Sequence, residues 1–250
     1  MGSGTATNRQ PPERLALRAG AGLAVAGIVV IVVASRFHGG TDPADLQTVL
    51  PQYAANPHWK AAHLGQFLGF LLIVSSLIIL LRHIKAISDS LSALLGIVVA
   101  AISAATFAAN HAVDGVAIRY VAENWVNAPP DGKIAAMNLA QAVRHIEQGL
   151  SALVAINLGI TLLLSGVAIL STRVFPRWLG VAAVPVGIIY LVAGVALYYF
   201  GFSQHVLSFW SSVLLSIWLL GSAYVLWQEA ARRLTATDSG AHDCGKMRTP

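Results

Sequence analysis

Six stretches of 17 to 23 residues in this 250-residue chain contain no Lys, Arg, Asp or Glu. They run about Ala19–Ser35, Ala61–Leu81, Ser90–Ala112, Gly149–Ser171, Trp178–Phe200 and Val206–Trp227. A bilayer core about 30 Å thick is crossed by roughly 20 apolar residues in a helix. Backbone groups in lipid find partners only inside such a helix or a closed barrel, and one charge at the centre of a span costs at least ~2.5 kcal/mol. The sequence therefore predicts an all-α polytopic membrane protein with six transmembrane helices. Composition agrees, since 11% of the residues are charged against about a quarter in soluble domains.

The net charge of +5 has to be sorted by side of membrane before it is read as a partner signal. The N-terminus, the links 82–89 and 172–177 and the C-terminal tail hold eleven of the sixteen Lys and Arg. Arg36, Lys60, Arg119, Lys133 and Arg144 fall on the other side. The positive-inside rule then puts both termini in the cytoplasm. No basic patch with interleaved aromatics occurs, so nucleic acid is not expected as a partner. The basic start followed by an apolar run is also the pattern of a signal peptide, with Val32-Val33-Ala34 as a cleavage context. Its 17 unbroken apolar residues exceed the usual ~7 to 15, and it is read as a retained span. Residues 1–14 and 231–250 are expected as disordered cytoplasmic tails around a membrane domain over 15–230.

Two of the links are long. Asp42-Pro43-Ala44-Asp45 reads as an N-cap, an N1 proline and an acid in the first turn, predicting a short helix from Pro43 to about Ala55. Asn127-Ala128-Pro129-Pro130-Asp131-Gly132 is a turn signal between helical stretches Val113–Val126 and Lys133–Glu147. Spans three and four are therefore expected to continue as a helical hairpin, making an outer helical cap. Gly180, Gly187, Gly194 and Gly201 recur every seven residues and return to nearly one helix face. Gly159 and Gly166 repeat the spacing in the fourth span. Such faces allow close helix approach, either within the chain or in a homodimer through Gly180, Gly187 and Gly194. Trp59, Trp125, Trp178 and Trp227 read as interfacial anchors.

Six of the eight histidines, His38, His58, His63, His111, His145 and His205, fall on or near the outer face. Four of them, His63, His111, His145 and His205, mark the outer ends of four different spans. His63 has Gln66, His111 has Asp114 and His145 has Gln148 at i,i+3 on a shared face. Asn110 stands beside His111. Arg144 and Glu147 form another i,i+3 pair, and Asp114 and Arg144 are expected to pair across the hairpin. Imidazole and carboxylate ligate divalent metals, so His63, His111, Asp114 and His145 are the candidate ligands. Gln66, Asn110, Arg144, Glu147, Gln148 and His205 are the candidate polar shell.

Four readings stay open from the residues alone. A metal ion would make a membrane-surface hydrolase conceivable, haem iron would take two histidines axially, and the cluster would otherwise handle protons. The fourth makes the histidines amphipathic members of a structural scaffold without a catalytic site. A transporter is disfavoured because the spans carry no ionisable residue at mid-membrane and no broken helix is signalled. The single Cys244 excludes an intramolecular disulfide or a cysteine metal site, and no GxSxG or phosphate loop occurs.

Phe175-Pro176-Arg177-Trp178-Leu179-Gly180, and His63-Leu64-Gly65-Gln66-Phe67-Leu68-Gly69 opening span two, carry a resemblance. The chain resembles uncharacterised six-helix membrane proteins of bacteria, especially actinobacteria, catalogued as domains of unknown function. The resemblance implies a six-helix fold in a bacterial plasma membrane and no particular activity.

The orientation has a direct check. A membrane-impermeant maleimide applied to intact cells should leave Cys244 unlabelled, and label it only after permeabilisation; efficient labelling from outside reverses the topology.

Overall fold

The computed structural model describes residues 12–39 and 45–246, with side chains for all of these except 12, 203–206, 208 and 233–246. Among the described residues, six helices are long and apolar enough to cross a membrane. The protein is an all-α polytopic membrane protein. The spanning helices are α1 (Pro12–Ser35), α3 (Trp59–Ser88), α4 (Leu91–Ala112), α6 (Lys133–Thr172), α7 (Arg177–Phe200) and α8 (His205–Lys246). Each packs on the next in chain order, and α8 returns to α1, which closes a ring.

Inside a bilayer, apolar burial does not drive helices together, so close packing has to. The glycines supply it. A Cβ at Gly27 would stand 2.7 Å from the Gly69 carbonyl oxygen, where α1 crosses α3. In the α6–α7 contact, a Cβ at Gly159 would lie 2.8 Å from the Gly187 oxygen, and one at Gly194 would lie 2.9 Å from the Ala152 oxygen. Gly180 meets Gly166 in the same seam. The face that the sequence also offered to a homodimer is thus occupied by α6, and no dimer contact through Gly180, Gly187 and Gly194 is proposed.

The turns at the end where α1 begins are short. Asp89 and Arg173 close α3 and α6 in the left-handed conformation, at φ 51° and 58°. Ser90 caps α4 by accepting from the Ala93 N–H. The other end carries the long links. There α2 (Leu46–Ala55) begins three residues later than expected, because Asp45 is its cap and accepts from the N–H groups of Gln47 and Thr48. Asp42 and Pro43 lie outside the described residues. A π-helical segment over Val113–Ile118 separates α4 from α5 (Arg119–Asn127), and a 3-10 turn over Pro130–Gly132 leads into α6.

These pieces form a small second core from Val49, Leu50, Tyr53, Trp59, Ile118, Val121, Ala122 and Ala140. The Arg119 guanidinium donates to the carbonyl oxygens of Tyr53 and Asn56, both at 2.6 Å. That satisfies the C-terminal end of α2, whose carbonyls lack intrahelical partners, and ties it to α5. The helical cap is therefore real. At the other boundary α8 runs to Lys246. α1 begins at Pro12 rather than at residue 15.

The packing argument predicts a contrast between two glycines. Gly187→Leu forces apart a seam where Cβ contacts would fall below 3.0 Å, at about 1–3 kcal/mol or more, and should lower the melting temperature in detergent. Gly22→Ala should be neutral or slightly stabilising, because a Cβ there meets nothing within 4 Å. Equal tolerance of both substitutions would contradict the seam.

Candidate metal centre at one end of the bundle

His63 sits in the first turn and a half of α3, where its ring is held at both nitrogens. Nδ1 lies 2.8 Å from the Trp59 carbonyl oxygen one turn back. A carbonyl only accepts, so Nδ1 carries the hydrogen. Nε2 lies 3.0 Å from Asp114 Oδ2, and His63 is 2% exposed on its side chain.

Asp114 reaches this position through the π segment. A π turn holds one more residue than an α turn and recurs at functional sites; here it changes which way Asp114 faces relative to His111. Gly115 lets the turn come close, since a Cβ there would lie 2.8 Å from His63 Cβ. Trp59 Nε1 donates to the Asp114 carbonyl oxygen at 3.2 Å, fixing the same backbone from the α3 side.

His38 arrives from the turn after α1. The Asn56 side-chain amide donates to the carbonyl oxygens of Phe37 and His38, at 2.9 and 2.8 Å. Gly39 then turns the chain at φ 70°, a conformation that suits glycine. His38 Nδ1 lies 2.9 Å from the Gly39 oxygen, so this imidazole too has its Nδ1–H on a backbone carbonyl. Its ring centroid is 4.8 Å from those of both Trp59 and His63. Burial holds the His38 imidazole below its ordinary value, an effect that the Asp114 carboxylate opposes. Burial also pushes the neighbouring Tyr53 phenol up to about 12, which keeps it protonated.

His38, His63 and Asp114 each offer one ligand atom, and these atoms all lie within 4.8 Å of one another. His111 is adjacent, with its ring centroid 5.7 Å from that of His63 and 4.0 Å from that of Phe107. Its Nε2 is buried without a hydrogen-bond partner. Behind this group lies a second buried pair, Arg144 Nη1 donating to Glu147 Oε2 at 2.6 Å, with the Arg144 guanidinium over the Phe202 ring.

The structure thus brings together three of the four expected ligands, His63, His111 and Asp114, and not the fourth. His145 is exposed, because it stands about 100° around α6 from Arg144 at 3.6 residues per turn. The expected Arg144–Glu147 pair forms, while Asp114 pairs with His63. Gln66 donates to Ser35 Oγ at 3.1 Å, and Gln148 donates to the carbonyl oxygens of Leu197 and Tyr198 at the end of α7. Asn110 accepts from the Ser151 hydroxyl at 3.1 Å, joining α4 to α6. The His205 side chain lies outside the described ones. Sequence reasoning missed His38, Tyr53 and Trp59 as members of the group. Trp59 is no interfacial anchor, being 1% exposed. Its position four residues before His63, on one helix face, was the available signal.

No family model, curated protein or solved structure matches the chain.

The lowered His38 value has a testable sign. The folded state binds the proton less readily than the unfolded chain, so this contribution is present above about 6.5 and fades as pH falls below it. In chelator, lowering the pH from 7.5 to 5 should destabilise the native protein relative to His38→Gln; parallel curves would contradict the burial of a neutral His38.

Proposed function

We propose that this membrane protein binds one divalent transition-metal ion, zinc first, through His38, His63 and Asp114, with His111 or a water completing the coordination. One observation carries the reading. Both His38 and His63 have Nδ1 on a backbone carbonyl, which leaves Nε2 as the lone-pair nitrogen in the neutral ring. This is the arrangement that orients metal-ligating histidines. His63 Nε2 and Asp114 Oδ2 stand 3.0 Å apart, so either a proton lies between them or a cation to one side is held by both.

Charge requires a cation of some kind and does not by itself choose a metal ion over a proton; the choice of a metal rests on the donor geometry. Asp114 and Glu147 bring two carboxylates into the cluster, and Arg144 one guanidinium. With neutral histidines the group is one positive charge short, a deficit that one proton on His63 closes and that a divalent ion closes with one charge to spare. Nitrogen and oxygen donors without sulfur suit zinc and its neighbours among the divalent ions. Haem fits less well. His63 Nε2 already faces Asp114, and among the described residues no second imidazole stands opposite it as an axial partner. A bound ion would supply Lewis acidity towards a carbonyl or phosphoryl oxygen. With the termini in the cytoplasm of a bacterial cell, the site faces outward across the plasma membrane.

Elemental analysis of protein purified in detergent and exposed to zinc should give about one ion per chain. His63→Ala and Asp114→Asn should lose it, while His145→Ala should keep it. At one hundred times the dissociation constant the ion should add about 2.7 kcal/mol of stability. Protein that takes up no zinc and melts identically with and without it would show that the cluster is a structural His–Asp ion pair.

A further inference from the structure

A pocket between α3 and α4 lies beside the proposed metal site, with His63 and His111 in its wall and His38 and Asp114 outside it. Its wall includes Lys60, His63, Leu64, Phe67, His111 and Ala112, and it encloses about 230 Å³. Leu64 and Val116 flank the opening and are each 60% exposed. Both stand at the ends of membrane-spanning helices, so the opening faces the bilayer at its interface.

The lining is graded with depth. α3 runs into the membrane from Trp59, so Lys60 is at the rim. His63 lies three residues deeper, about 4.5 Å at 1.5 Å per residue. Leu64 and Phe67 lie deeper again. α4 runs the opposite way and gives the same order, with Gly115 and Val116 at the rim, His111 and Ala112 in the middle and Ala108 below. The rim is cationic. Lys60 is exposed and forms no ion pair among the described residues. At the N-terminus of α3, Asn56 accepts from the His58 and Trp59 N–H groups, which leaves those of Lys60 and Ala61 and the positive end of the helix dipole at the same rim.

A cation and open N–H groups above, imidazoles in the middle and hydrocarbon below form the complement of one kind of molecule. We infer that the pocket takes an anionic glycerophospholipid from the adjoining leaflet, with its phosphate on Lys60 and the first turn of α3. Its ester carbonyls, which lie just below the phosphate, then stand beside His63 and His111, and an acyl chain follows Phe67 and Ala108. The inference names the ligand class of the proposed metal site. It rests on that reading for the chemistry and not for the binding.

The probe is protein exchanged into micelles holding equal amounts of phosphatidylglycerol and phosphatidylcholine, with retained lipid measured by native mass spectrometry and zinc measured on the same samples. The native chain should retain one phosphatidylglycerol with about a fivefold preference, the scale of one lysine at a charged interface. Lys60→Gln should abolish the preference, and Ala112→Trp, which fills the pocket from an exposed position, should abolish retention. Both variants should keep zinc. No preference in the native chain, or a preference untouched by both substitutions, overturns the inference whatever the zinc content. Preference retained in protein that binds no zinc supports the lipid site and removes the metal reading alone.

Discussion

The end of this bundle is organised around a single contact, two electron-rich atoms facing each other at 3.0 Å, His63 Nε2 and Asp114 Oδ2. The arrangement is stable only with a positive charge shared between them, because His63 Nδ1 already donates to the Trp59 carbonyl. Removing one partner of such a buried pair leaves an uncompensated charge or lone pair, a loss on the order of 3–5 kcal/mol. The neighbouring elements serve that contact. The π turn aims Asp114, Gly115 lets it approach, Trp59 holds its backbone, and Asn56 anchors the turn that delivers His38.

The rest of the bundle supplies rigidity. In lipid, helix association depends on close packing, and the glycine seams between α1 and α3 and between α6 and α7 put backbone against backbone. Four elements converge on the histidine cluster, namely the turn after α1, α3, the end of α4 and α6. Their relative positions are set by those seams and by the small second core under α2 and α5. His63 and His111 are thereby held on helices, while His38 comes from the turn after α1.

The spans were legible because the bilayer tolerates so few charges that their absence marks the segments almost by itself. Caps and turns near Ser90 and Pro129-Pro130 were legible through local chemistry. The site was half legible. His63, His111 and Asp114 were marked by polar residues at membrane depth, and His145 was marked by the same signal but faces outward. The α6 pattern held the distinction: Ala136, Ala140, Arg144 and Glu147 are all buried and follow helical spacing, and His145 is off that face. Val113–Ile118 has no sequence trait separating a π turn from an α turn, so the partner of Asp114 could not be found by counting i,i+3. His38 lies in a link with no periodicity, and only its tertiary contacts reveal it.

The central claim is that the His63–Asp114 gap is a metal ligand set. X-ray absorption at the zinc edge on purified, zinc-loaded protein tests it most directly. The account predicts nitrogen and oxygen donors at about 2.0–2.1 Å, with the outer-shell scattering of at least two imidazoles and no sulfur. A spectrum of oxygen donors alone, without imidazole scattering, would mean that zinc binds elsewhere and would contradict the account.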